Sequence, residues 1–402
     1  MRALLILVLL ACPADAQTRP TERPERVAAM PFPAWIAGFR DRALAEGIAA
    51  PTFDTAMADV TYLPDVIRLD RRQSEFTKTI WDYLDAAASE TRVRNGRAAL
   101  DRHAATFAEI EAAHGVPREI VAAIWGLETS YGAVRGDTPI LSALATLAAD
   151  SRRGAFFEEQ LIDALRILDA GAARPADLRG SWAGAMGHTQ FLPSSWHAHA
   201  VDHDGDGRRD IWGDDPADAL ASAAAYLKGN GWITGQPWGA EVSLPEGFDY
   251  RLTGERVTRT APEWTALGVR TATGAPLVDA GPISIRVPGG HEGAAFATYG
   301  NFRALESYNT ADAYVIAVGH LSDRLAGGGP LAGGWPRGDR ALTYDERIAL
   351  QEGLREAGFD PLRIDARIGP DTLDAIQRWQ ASVGMVPDGY ADAAMLGALR
   401  GR

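Results

Sequence analysis

A glutamate that keeps its proton near neutral pH can serve as a general acid, and Glu128 has the surroundings for it. It lies in Ile124-Trp125-Gly126-Leu127-Glu128-Thr129-Ser130-Tyr131-Gly132. Gly115-Val116-Pro117 breaks the chain, and proline suits the first turn of a new helix. Val121, Ile124 and Trp125 stand seven, four and three residues before Glu128, so they share its face of that helix. A carboxyl on an apolar face loses water, which raises its pKa above the usual value of about 4.3. The alternative is a glutamate at the helix end that points to solvent or meets a neighbouring helix.

Ser181–Trp196 (SWAGAMGHTQFLPSSW) is the second candidate. Its small residues Ala183, Gly184, Ala185 and Gly187 would let backbone approach a ligand closely. Gln190 and Ser181 could hydrogen-bond sugar hydroxyls or acetamido groups. The alternative is a tight Gly-rich turn leading into a helix at Pro193.

Asp202-His203-Asp204-Gly205-Asp206-Gly207 carries the alternating carboxylates and sixth-position glycine that open an EF-hand calcium loop. Such a loop ends in a bidentate glutamate at its twelfth position, and Gly213 stands there. Asp214 or Asp218 would have to substitute; a solvated acidic turn is the other reading. His197 and His199 are two apart and share no helical face, so the local histidines do not suggest zinc. Nucleotide loops, serine-hydrolase elbows and H-E-x-x-H zinc motifs are absent from the sequence.

Helices must position these residues. Apolar stripes recur from Trp35, Ile36 and Phe39 through Phe53, Met57 and Val60, then Phe76, Ile80, Tyr83 and Leu84, then Leu100, Phe107 and Ile110. Helices are also expected from Thr138-Pro139, with Leu141, Leu144 and Leu147, and over Phe157–Leu168 up to Gly171. Residues 180–215 read as loop, and Asp215 then caps a helix ending at Lys228-Gly229. Val242–Leu244, Ile283–Val287 and Ala295–Tyr299 read as short strands, and Ala311–Leu325 as helix. The fold class is mainly α: an α-rich domain with a small β insertion. A Gly- and Pro-rich linker (326–338) and a short helical domain follow.

Composition narrows the function. The 402 residues are 46% apolar and 23% charged, which is ordinary globular composition. A net charge of −13 disfavours nucleic acid and anionic membrane surfaces. With 1 Cys there is no intrachain disulfide, and 11 Trp supply flat surfaces for sugars. Met1-Arg2, the apolar run 3–11 and Ala14-Asp15-Ala16 describe a secretory signal peptide, too short to span a membrane. Cleavage is expected before Gln17, giving a periplasmic protein. The alternative is lipidation of Cys12, giving an outer-membrane lipoprotein. Residues 17–30 read as a flexible leader.

Four blocks in order resemble the B-type lytic murein transglycosylases, glycoside hydrolase family 103. They are Ile124–Gly132, Gly184–Trp196 (G-A-M-G-x-x-Q-F-x-P-S-S), Val201–Trp232 (D-x-D-G-D-G…Y-L…G-W) and Tyr308–Val318 (YNTADAYVIAV). Leu350–Leu399 resembles the small peptidoglycan-binding domain of cell-wall enzymes, with Asp365-Ala366 where that family usually has Asp-Gly. The resemblance implies a lysozyme-like catalytic domain over 31–326, a linker over 327–340 and a three-helix peptidoglycan-binding domain over 341–402. It implies that Glu128 is the single catalytic acid/base. Ser181 and Gln190 would line the sugar cleft, with Tyr226, Tyr308, Asn309 and Tyr314 near the scissile bond. Asp202, Asp204, Asp206 and Asp218, with the Arg208 carbonyl, would hold a structural calcium, and catalysis needs no cofactor. The expected partners are glycan strands and stem peptides of peptidoglycan, and the protein is expected to be a monomer.

Glycoside hydrolysis ordinarily uses two carboxylates, and one stands out here. A lone Glu128 suffices if the muramic 6-hydroxyl attacks its own C1, leaving a 1,6-anhydro end. A hydrolytic muramidase would need a second placed carboxylate, and a non-catalytic wall-binding protein would need none.

Overall fold

The structure is a computed structural model describing residues 30–73 and 78–401. The signal and leader segments fall outside the described residues. Two compact units divide the described residues: one holds 30–73 and 94–229, the other 78–93 and 230–401. Among the described residues 17 α-helices dominate.

Among its described residues the first unit is mainly helical, with a two-residue pairing of Thr138-Pro139 with Arg179-Gly180 and isolated bridges from Met186 to Gly180 and Phe191. Its centre is Arg118–Thr129, in which every residue from Ile120 to Thr129 is buried. Pro117 is the N-cap rather than a first-turn residue, and the helix follows directly from it. Ile140–Asp150 packs along Gly154–Asp169, closing a core around Phe157, Leu161 and Leu165. The stripe Leu100, Phe107 and Ile110 falls on two helices, Glu90–Arg102 and Ala104–His114, separated at His103. Ala217–Gly229 begins where expected, with Asp215 Oδ1 accepting the Ala217 N–H at 3.0 Å.

The second unit contains an antiparallel sheet ordered Arg270–Thr271, Gly239–Ser243, Ala295–Thr298, Ser284–Arg286. Arg270–Thr271 was not evident from sequence, because two residues carry no alternation. One face packs over Trp264, Ile283, Ile285 and Tyr299. Residues 344–400 form three helices with their own core of Leu350, Leu354, Ile376, Trp379 and Leu396.

Side chains of the second unit hold the Gly/Pro stretch. Glu241 accepts the Ala332 and Gly333 N–H groups, at 2.9 and 2.6 Å. Trp335 lies 6.1 Å from the Trp81 ring and 6.4 Å from Phe296, and Arg337 pairs with Asp85 at 2.8 Å. Asp388, buried, accepts the His291 backbone N–H and lies 2.6 Å from its Nδ1. Gln377 Nε2 donates to Tyr250 O and Thr253 Oγ1, both at 3.0 Å. Composition signals flexibility only when nothing else in the fold claims the backbone.

Candidate active site

Glu128 is the penultimate residue of Arg118–Thr129 and is 7% exposed. In the first unit the buried carboxylates are Glu128 and Asp218, and Asp218 is spent on backbone N–H groups as described below. Glu128 is thus the one deeply placed carboxylate of this unit outside the acidic loop, among the described residues.

The turn after it is unusual. Ser130, Tyr131 and Gly132 all have left-handed φ (52°, 61° and 82°), so the chain reverses sharply. This folds the Tyr131 ring over Gly126, where any Cβ would lie 2.6 Å from Tyr131 Cζ. Gly126 is therefore small because Tyr131 occupies its side of the helix.

His188 fastens this helix end to the Ser181–Trp196 segment. Trp125 Nε1 donates to His188 Nδ1 at 3.2 Å, and Thr129 Oγ1 donates to the His188 carbonyl at 2.7 Å. Burial lowers the His188 pKa, so the ring is neutral and free to accept from the indole. Sequence reasoning took Trp125 only as an apolar neighbour of Glu128 and His188 only as one of several local histidines, and it did not consider Arg135. The one available signal was a histidine set inside a Gly-rich, otherwise apolar run.

At Gly184 and Gly187 packing leaves no room for a side chain, in keeping with the tight-turn reading of this segment. A Cβ at Gly187 would meet Ile211 O at 2.4 Å, and one at Gly184 would meet Leu144 Cδ2 at the same distance. Ser181 Oγ accepts the Ala185 N–H at 3.1 Å, closing the turn. Gln190, buried with φ of 53°, donates through Nε2 to Arg135 O (3.1 Å) and Gly187 O (3.0 Å). Its amide nitrogen is spent on the fold, which leaves Oε1 for other work. Tyr226 lies 4.7 Å from the His199 ring and 5.8 Å from Phe191, beside Gln190 in sequence. Tyr308, Asn309 and Tyr314 belong to the second unit, around the turn between Gly300–Tyr308 and Asp312–Leu325. Asn309 is buried there, and its Oδ1 accepts the Ala311 N–H at 3.0 Å.

The acidic loop has the geometry of a cation cradle. Asp202, Asp204 and Asp206 each present a carboxylate oxygen within 4.8 Å of the others. Asp202 accepts the Gly205 and Gly207 N–H groups at 2.8 and 2.9 Å, and Asp206 accepts Arg208 N–H at 2.8 Å. Asp218 accepts the His203 and Asp210 N–H groups, each at 2.8 Å, which locks the loop to the helix Ala217–Gly229. Its pKa is raised by burial and by Asp204 and Asp202, the condition a divalent cation would relieve.

In the second unit a cavity of about 590 Å³ carries both charges on its wall, among them Arg286, Glu306, Asp312, Arg347 and Asp374. Arg286 pairs with Glu306 at 3.2 Å and with Asp312 at 2.9 Å. Burial pushes the Glu306 carboxyl up to about 7.

A mainly helical unit with one buried glutamate at the end of its central helix is consistent with a lysozyme-like fold. Residues 31–323 match the transglycosylase SLT domain and residues 343–399 the peptidoglycan binding domain, and the chain belongs to this transglycosylase family. SltB3 of Pseudomonas aeruginosa, solved in complex with NAG-NAM-pentapeptide and with NAG-anhNAM-pentapeptide, is 46% identical. The match covers 92% of this chain and 99% of that one, with a TM-score of 0.89. The Escherichia coli lytic transglycosylase Slt35, solved in complex with calcium, is 29% identical over 73% of this chain and 92% of that one, TM-score 0.63. The membrane-bound lytic murein transglycosylase B of E. coli is 35% identical over 231 residues, 53% of this chain. The matched region spans 58% of that relative's length.

Proposed function

We propose that this chain is a lytic transglycosylase that cleaves the MurNAc-β-1,4-GlcNAc bond of peptidoglycan without water. The observation that carries the reading is Glu128: one buried carboxylate at the end of the central helix of the matched transglycosylase domain. Glu128 protonates the glycosidic oxygen, and the GlcNAc hydroxyl leaves. The muramic 6-hydroxyl attacks C1 of its own ring, and its proton passes to the Glu128 carboxylate. The acid is thereby restored, and the muramic residue ends as the 1,6-anhydro form. An internal nucleophile brings a large proximity advantage and removes the need for a second carboxylate.

Ser181, Gln190, Tyr226, Tyr308, Asn309 and Tyr314 are assigned to the glycan-binding surface, with Gln190 Oε1 as an acceptor for sugar N–H or O–H. Asp202, Asp204, Asp206 and Asp218, with the Arg208 carbonyl, are assigned to a calcium ion that would brace the loop and take no part in the reaction. The C-terminal helices are assigned to wall binding, and the mixed-charge cavity beside them suits the amine and carboxylates of a stem peptide. Export with cleavage before Gln17 would place the protein in the periplasm. Among the described residues no helix is long and apolar enough to cross a membrane.

The test is mass spectrometry of products released from purified sacculi. Products lighter by one water than hydrolytic muropeptides are expected, and Glu128→Gln should reduce kcat by roughly 10²–10⁴-fold with binding kept. Hydrolytic products, or anhydro products from Glu128→Gln at the wild-type rate, would overturn the reading.

A further inference from the structure

We infer that His188 is a positioning residue for Glu128, fixing the end of the helix on which the acid stands. The inference rests on the reading of Glu128 as the acid/base. His188 is 4% exposed and fills the first of the two open positions in the G-A-M-G-x-x-Q-F run.

Its contacts bracket Glu128. Trp125, one turn before the acid, donates its indole N–H to Nδ1, and Thr129, the next residue, donates its hydroxyl to the His188 carbonyl. Thr129 Oγ1 also accepts the Gly132 N–H at 3.0 Å, tying the left-handed turn to the same point. The ring is held from its far side as well. An indole only donates, so Nδ1 must accept and the ring proton sits on Nε2. Nε2 then donates to Gly213 O at 2.9 Å. Arg135 Nη1 is 3.2 Å from Nε2 but donates to the carbonyls of Trp212 and Gly213. Asp210 in turn accepts the Gly213 N–H at 3.0 Å, which holds the residue whose carbonyl the ring meets.

His188 therefore forms a strut from the 210–213 segment to Trp125, one turn before the acid, and Thr129, next after it. A side chain that only filled space could be replaced by an apolar one of similar volume. Directional bonds on both edges of the ring set the rotation of the helix end, and a displacement of about 1 Å can cost on the order of 10²-fold in rate.

Three variants of the full chain test this on soluble glycan fragments. His188→Leu removes both ring nitrogens, His188→Asn keeps an acceptor near Nδ1, and Trp125→Phe removes only the donor. His188→Leu is expected to lower kcat roughly 10- to 100-fold with KM little changed. His188→Asn should recover most of that loss. Trp125→Phe should lose no more than His188→Leu, and the double variant should be no worse than His188→Leu, because the Trp125 contact is already lost in it. Wild-type kcat in His188→Leu, or losses that multiply in the double variant, would overturn the inference. If His188→Leu does not fold, wild-type kcat in Trp125→Phe overturns it instead. Glu128→Gln run alongside separates the two failures. If it still makes anhydro product, the assignment of the acid is wrong and the positioning role falls with it. If it is inactive while the His188 and Trp125 variants run at full rate, the positioning role alone is wrong.

Discussion

Thr129 Oγ1 donates to the His188 carbonyl at 2.7 Å, joining the residue after Glu128 to the segment that carries Gln190. The two segments lie some sixty positions apart in the chain, and neither is stiff alone at this point: one is a helix end, the other a turn. Their junction is buried, so the hydrogen bond is protected from water and sets geometry more firmly than an exposed one would.

Calcium should stabilise the first unit through Asp202, Asp204 and Asp206. Their oxygens converge while the loop's own N–H groups satisfy only part of their accepting capacity. A ligand at a hundredfold excess over its Kd adds about 2.7 kcal/mol to folding. Chelation should lower Tm in the wild type and leave Asp202→Ala/Asp206→Ala unchanged. Equal shifts in both would remove calcium from this loop.

Removing the C-terminal helices should do more than abolish wall binding. A chain ending at Gly328 loses Trp335 from Trp81 and Phe296, and loses the partners of Glu241, Arg256 and His291. The remaining part of the second unit should melt several degrees lower, and Trp335→Ala in the full chain should cost about 1–3 kcal/mol. Calorimetry should show the β insertion and the C-terminal helices unfolding together; a separate, unchanged transition for the helices would mean they are merely tethered.

Stability of the second unit should depend on Asp323. Burial pushes its carboxyl up to about 7, while Trp238 Nε1 donates to it at 3.3 Å. The folded state keeps the proton to about pH 7, and the unfolded chain releases it near pH 4. Stability contributed here is therefore lost as pH rises through that window. Glu306, also raised to about 7, acts in the same direction. His320, lowered to about 4 by burial, acts in the opposite one, since its stability is lost as pH falls. Asp323→Asn keeps an acceptor for Trp238 and should flatten the decline between pH 4 and 7. An unchanged pH profile of Tm would show that Asp323 titrates normally.

Ala366 has a left-handed φ of 61° at the place where the resemblance to wall-binding domains calls for glycine. Gln351 holds it there, with Oε1 accepting the N–H groups of Asp365 and Ala366, each at 2.9 Å. The Cβ makes this conformation costly, so Ala366→Gly should raise the stability of the C-terminal helices by up to about 1 kcal/mol. A lower Tm would show that chain entropy outweighs the relief of strain.

The sequence by itself determined the elements and the local chemistry. Helical stripes, the Asp215 cap and the acidic loop are each written within a few residues, because hydrogen bonding and periodicity act over one or two turns. Glu128 could be singled out as a candidate for the same reason, since Val121, Ile124 and Trp125 share its helical face. Only the tertiary structure decided what the small residues of Ser181–Trp196 are for, since their neighbours Leu144 and Ile211 come from other segments. It alone made His188 a strut, because a histidine's role follows from which groups meet its two ring nitrogens. It also turned a flexible-looking Gly/Pro stretch into a pinned one, since Glu241, Trp81, Phe296 and Asp85 reach it from positions remote in sequence. Composition reports what a backbone is free to do, and distant side chains decide whether it stays free.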